Sequence, residues 1–73
     1  MILPKTRKQI AYEYGVNPVT LRRRLEKMKI ELPSGDLFPA YQKLIYRALG
    51  YPPGVDALPY LSIPLPEGSI NEK

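Results

Sequence analysis

The chain has 73 residues, nine prolines, no cysteine, no histidine and a net charge of +4. That length allows one small domain near the lower limit of independent stability. The missing residue types exclude disulfides, the usual zinc ligand sets, a histidine general base and a cysteine nucleophile. The seven carboxylates are scattered without an obvious pair, so neither an enzyme nor a metal or cofactor site is expected.

The charge is uneven. Residues 1–50 hold ten Lys/Arg against four acids, a net of +6, whereas residues 51–73 hold one Lys against three acids, a net of −2. A basic region of this kind favours a polyanionic partner, most commonly nucleic acid. No apolar run is long enough to span a bilayer, and the N-terminus does not read as a secretory signal. A cytoplasmic location without a membrane partner is therefore the default expectation, and the opening Met and self-contained pattern are those expected of a small whole protein.

Residues 1–5 form a short arm: Ile2 and Leu3 are apolar enough to dock on a core, and Pro4 keeps the segment out of a helix. Thr6 and Gln9 make a T-x-x-Q capping box, so the first helix is predicted over 7–14. Its apolar face is Ile10, Ala11 and Tyr14, with Tyr12 and Glu13 more outward. Arg7 and Lys8 oppose the helix dipole in the first turn, a position that suits phosphate contact or simple solvation. Gly15 supplies the left-handed residue that stops the helix, and Val16 plugs the turn. Asn17 caps the next helix, and Pro18 occupies its first position, where a missing N–H is harmless.

The second helix is predicted over 18–29. Leu21, Leu25 and Met28 fall on one stripe, joined by Leu32 if the helix persists that far. The opposite face carries Val19, Arg22, Arg23, Glu26 and Lys27, with Arg24 beside the apolar stripe and Thr20 on the other shoulder. Pro33-Ser34-Gly35-Asp36 is a turn. A tiny hairpin there would form a minimal wing, although the flanks are short and Pro33 removes a donor. The third helix is predicted over 39–49, with apolar residues at 41, 44, 45, 48 and 49. Lys43 and Arg47 line its polar side, and Tyr41 and Tyr46 sit at its margins. Gly50 and Pro52-Pro53 end it. Five of the nine prolines then follow, at 52, 53, 59, 64 and 66, excluding a helix. Val55, Leu58, Tyr60, Leu61, Ile63 and Leu65 nonetheless make the segment too apolar for a plain disordered tail. It is predicted to be an extended arm that either wraps its own domain or docks on a second copy, with 67–73 as a frayed end.

Gln9, Ala11, Gly15, Val16, Thr20, Leu21, Arg23 and Leu25 together resemble the helix-turn-helix signature of bacterial DNA-binding regulators and of the DNA-binding domains of site-specific recombinases. A small residue four before the turn glycine (Ala11) and apolar residues one before, one after and six after it (Tyr14, Val16, Leu21) fit that pattern. The apolar residue usual nine after the glycine is Arg24 here, with Leu25 apolar instead, a departure that bears on how the helices cross. Thr6 through Gly50 also looks like a group of short bacterial, phage-like or mobile-element-like proteins.

The resemblance implies an all-α, three-helix helix-turn-helix domain over residues 1–50; it does not reach the Pro-rich extended arm over 51–73, which is read from composition alone. It further implies a DNA-binding transcriptional regulator or mobile-element accessory factor with double-stranded DNA as partner. Carried over by position, the base-contacting residues would be Asn17, Pro18, Val19, Arg22, Arg23 and Glu26. Arginine suits guanine and Val19 a thymine methyl, whereas Glu26 is also placed to pair with Arg22 four residues earlier. Arg7, Lys8, Thr20, Arg24, Lys27 and Lys29 suit phosphate. A single recognition helix covers few base pairs, so a homodimer through residues 51–66 is expected. The competing expectation is a protein interaction module docking through the apolar arm without nucleic acid. Six tyrosines also offer stacking surfaces for RNA, but they fall at core-like spacings.

Overall fold

The computed structural model describes residues 2–66. The fold is all-α: α1 Arg7–Tyr14, α2 Pro18–Lys27, α3 Pro39–Leu49, and a single 3₁₀ turn at Leu58–Tyr60. Helix α1 begins on the predicted capping box. The Thr6 hydroxyl accepts from the Gln9 amide N–H at 3.0 Å, and the Gln9 side-chain oxygen accepts from the Thr6 amide at 2.7 Å. It ends at Gly15 in the left-handed conformation, φ 73°. The Gly15 N–H bonds to the Tyr12 carbonyl and the Val16 N–H to the Ala11 carbonyl, the paired pattern of a Schellman stop. Helix α2 starts on Asn17, whose side-chain oxygen accepts from the Thr20 N–H at 2.9 Å, with Pro18 behind it.

Helix α2 is shorter than its apolar stripe predicts. It stops at Lys27, and Met28, expected on the buried stripe, is 46% exposed. The same Schellman pattern recurs here: Lys29 N–H to the Glu26 carbonyl and Ile30 N–H to the Leu25 carbonyl, both at 3.0 Å. The left-handed position is held by Lys29 at φ 60°, where an L side chain costs roughly 1–2 kcal/mol. Ile30, half-buried against the core, supplies the apolar contact that accompanies such a stop. Leu32 therefore packs on the core from the connection rather than from α2.

The buried core joins Ile10 and Ala11 of α1, Leu21 and Leu25 of α2, Leu37, Ile45 and Tyr46 around α3, and Tyr60. Ala11 is fully buried, as a small residue between closely packed helices must be. Among the described residues there is no hairpin at 33–36; the one bridge joins Lys5 and Leu37. Lys5 N–H donates to the Leu37 carbonyl at 3.0 Å, and Leu37 N–H to the Lys5 carbonyl at 2.7 Å. This pairing fixes the N-terminal arm to the entry of α3.

Two residues of α3 depart from the sequence pattern. Tyr46, expected at the margin, is fully buried, and so is Gln42, the single buried polar residue among those described. The Tyr46 ring meets Tyr60 edge-on at 5.2 Å between centroids, Tyr51 at 5.2 Å and Tyr14 at 6.3 Å, geometries that aromatic quadrupoles favour. The Gln42 amide nitrogen donates to the Leu3 carbonyl at 2.9 Å and the Leu37 carbonyl at 2.8 Å, and its oxygen accepts from the Tyr60 hydroxyl. Its burial is tolerated because the amide is satisfied by three partners from three segments.

Residues 51–66 are not a plain extended arm. Pro52-Pro53-Gly54-Val55 closes a turn, with Val55 N–H donating to the Pro52 carbonyl at 3.2 Å and Gly54 at φ 91°. Proline followed by a positive-φ glycine is the type II arrangement. The chain then folds back. Tyr60 is buried, Tyr51, Val55 and Ile63 pack on the core, and the Lys43 ammonium donates to the Ile63 carbonyl at 2.6 Å. The frayed end expected at 67–73 lies outside the described residues.

Candidate nucleic-acid interface

Leu21 and Leu25 anchor α2 on the core, so the rest of that helix turns to solvent. Arg22, Arg23, Arg24, Glu26, Lys27 and Lys29 are all exposed, as are Asn17, Pro18 and Val19; Thr20 is half-buried. From Asn17 to Lys29 the chain carries five cations against one acid. Arg24, placed beside the apolar stripe by periodicity, is open to solvent and widens the basic face. Glu26 pairs with Arg22 as its spacing predicts, but Nε to Oε2 is 3.8 Å and both side chains are 66% exposed. Such a pair contributes about 0.3–0.5 kcal/mol and leaves the guanidinium easily diverted. Among the described residues the only other ion pair is Lys5–Glu13, so Arg23, Arg24, Lys27 and Lys29 carry uncompensated charge.

Asn17 is exposed, yet its side-chain oxygen is committed to the α2 N-cap; its amide nitrogen is the part left to meet a ligand. Val19 is 46% exposed, enough to offer a methyl surface. Lys8 is exposed on α1, one turn before Tyr12, which is 84% exposed. The i, i+4 spacing of those two residues is legible in the sequence, but Tyr12 was not among the predicted contacts.

Arg7 sits differently. Its guanidinium donates to the Gly35 carbonyl at 2.9 Å and to the Pro33 carbonyl. It therefore closes the 33–36 turn onto the start of α1 instead of standing free beside Lys8. Lys5, whose role has no local sequence signal, is also turned inward. Its ammonium lies 2.6 Å from the Glu13 carboxylate and 2.9 Å from the Tyr46 hydroxyl. Although it is 5.4 Å from the Tyr46 ring centroid, a nitrogen that close to the phenol oxygen lies beyond the hydroxyl edge of the ring. The contact is accordingly a hydrogen bond rather than a cation–π stack. The Tyr46 hydroxyl in turn donates to Glu13.

Burial first, and then that hydrogen bond to Glu13, hold the Tyr46 phenol well above its ordinary pKa. Burial, reinforced by the nearby Glu13 charge, pushes Tyr14 up to about 12. Both phenols are thus firmly protonated donors at neutral pH, and the Tyr14 hydroxyl donates to the Gly50 carbonyl at the end of α3. None of these long-range pairings carries a local sequence signal.

Among the described residues no three His, Cys, Asp or Glu side chains converge as metal ligands, and no helix is long and apolar enough to cross a membrane. Comparison of the chain with protein-family models, with curated proteins and with solved structures finds no match.

Proposed function

We propose that the chain binds double-stranded DNA, with α1 and α2 acting as a helix-turn-helix and α2 lying in the major groove. The observation that carries this reading is the outward face of α2, where Val19, Arg22, Arg23, Arg24 and Lys27 are exposed with a single, weakly paired acid, and Lys29 just past its end adds a fifth cation. Capping by Asn17 and Pro18 and anchoring by Leu21 and Leu25 hold that face in a fixed direction. Pre-organised donors of this kind suit the bidentate edges of guanine and the phosphates beside them. Arg22, Arg23 and Val19 are assigned to bases, and Lys8, Arg24, Lys27 and Lys29 to phosphates. Arg7 is assigned to the turn it already holds. A transcriptional regulator or a mobile-element accessory factor would use such a module.

The test is an electrophoretic mobility shift on mixed-sequence duplex over a range of salt. Binding at low salt should weaken steeply, by about 0.9 in log affinity per log salt for each phosphate neutralised. Four phosphate contacts therefore predict a slope near −3.6. Absence of binding at low salt would overturn the reading and leave protein docking through the C-terminal segment, which exposes Leu58 and Leu61, as the alternative.

A further inference from the structure

Helix α2 buries its two leucines and keeps one aliphatic side chain outside. Leu21 and Leu25 are each 2% exposed, whereas Val19 is 46% exposed. Nothing in the fold accounts for a valine there. A β-branched residue lowers helix propensity, and in solvent it gains no burial to offset that cost. Its neighbours on the helix surface are the residues three and four positions on, Arg22 and Arg23. In angle around the helix Val19 falls between the two, about 60° from Arg22 and about 40° from Arg23. Both arginines are exposed. Arg22 is held by the 3.8 Å pair with Glu26, and among the described residues Arg23 makes no ion pair. Val19 is therefore an apolar point set between two available guanidinium groups, on a helix fixed by the Asn17 cap and the buried leucines.

We infer that Val19 reads the C5-methyl group of a thymine whose neighbouring base pair holds a guanine, so that α2 distinguishes duplexes by that methyl. The inference rests on the DNA reading above and names the base step that the helix recognises. In the major groove, thymine alone among the four bases offers a methyl group, and guanine alone offers the paired O6 and N7 acceptors that an arginine fork fits. The surface complementary to Val19 with Arg22 and Arg23 is thus a methyl group next to a pair of acceptors. Guanine–cytosine pairs alone would leave Val19 against no methyl, and adenine–thymine pairs alone would leave the arginines without paired acceptors. The spacing agrees. Three or four residues of helix rise about 4.5–6 Å, and successive bases on a strand lie about 3.4 Å apart. Side chains one helical turn apart therefore meet neighbouring base pairs rather than distant ones.

The experiment is a mobility shift of the full chain on two repeating duplexes of about 20 base pairs, TG·CA and TC·GA, each made with thymine and with uracil in its place. Every internal thymine then has a guanine in the next base pair, on its own strand in the first duplex and on the opposite strand in the second. In at least one of them thymine should bind about fourfold tighter than uracil, the effect of one methylene-sized group leaving water. In that same duplex, 7-deazaguanine, which lacks the N7 acceptor, should weaken binding at least about threefold. Val19→Ser should lower the thymine duplex to the level of the uracil one, with helix content by circular dichroism unchanged. If helix content falls, Val19→Thr, which keeps one methyl, takes its place and should shrink the thymine–uracil ratio. Equal affinity for thymine and uracil in both duplexes would overturn the inference while leaving the DNA reading intact. So would a methyl preference that neither substitution reduces, or binding indifferent to 7-deazaguanine. No binding to any duplex at low salt would overturn both.

Discussion

Two sets of polar side chains in this small protein both contain lysine and arginine and behave in opposite ways. Around α3, Lys5, Arg7, Glu13, Gln42 and Tyr46 turn inward and are bonded to one another or to backbone carbonyls. On α2 and just past its end, Arg22, Arg23, Arg24, Lys27 and Lys29 turn outward, with one long ion pair, Arg22–Glu26, among them. Being cationic therefore does not assign a residue to a polyanion. Arg7 and Lys8 are neighbours, yet the first fastens a turn and the second stands in solvent. The inward set holds the helices in place, and the outward set is left in solvent with its charge uncompensated.

The largest expected effect falls on the inward set. Gln42→Leu leaves the Tyr60 hydroxyl buried without a partner and takes the donor from the partly buried Leu3 carbonyl, while the Leu37 carbonyl keeps its bond from Lys5. At about 1–3 kcal/mol per unsatisfied group, urea denaturation should show a loss of about 2–4 kcal/mol, a large share of the stability of a chain this small. A loss under about 0.5 kcal/mol would show that Gln42 does not join these segments.

The outward set should answer in the opposite way. Arg22→Ala with Arg23→Ala should leave unfolding within about 0.5 kcal/mol of wild type yet weaken binding to a preferred duplex by about 2 kcal/mol or more. Equal losses on every duplex would mean that these residues touch phosphate rather than bases.

Arg7→Ala against Lys8→Ala tests the comparison at its closest point. Arg7→Ala should lower stability by about 1 kcal/mol and leave the salt slope of DNA binding alone. Lys8→Ala should do the reverse, flattening the slope by about 0.9. Exchanged outcomes would place Arg7 in the interface.

The pH dependence follows from the two protonated phenols. Their folded pKa values lie above the unfolded value near 10, so the unfolded chain releases these protons first and the stabilisation is fully present below pH 10. It should fall as pH rises from 10 through about 12 for Tyr14, and further for Tyr46. Stability unchanged over that window, followed by chemical denaturation, would show that the phenols are as accessible as in the unfolded chain.

The smallest effect is expected at Lys29→Gly, which relieves the left-handed position at the end of α2 while removing an outward charge. Stability should rise by about 0.5 kcal/mol, and the salt slope should fall by about 0.9.

What the sequence makes legible is what is encoded locally. Thr6 and Gln9, Gly15, and Asn17-Pro18 each act within four residues, and α1 and the start of α2 lie where those signals put them. The end of α2 is not legible, because its stop uses Lys29 where glycine is the usual mark. Helical periodicity puts Tyr46 at a margin, whereas its hydroxyl partners, Lys5 and Glu13, lie 41 and 33 positions away. Gln42 gave no apolar signal and is buried by partners 39, 5 and 18 positions away. In the candidate interface, periodicity placed Arg22, Arg23 and Lys27 outward correctly. It had no means of seeing the carbonyls that take Arg7.

The Gln42 junction also has a consequence for the order in which the molecule is made. Its partners run from Leu3 to Tyr60, so a nascent chain presents α1 and α2 well before the side chains that close the core beneath them. During that interval Ile10, Leu21 and Leu25 lack their cover, and the basic face of α2 has no fixed direction. Closure of the core therefore depends on contacts distant in sequence, which form at a higher entropic cost than the helices themselves.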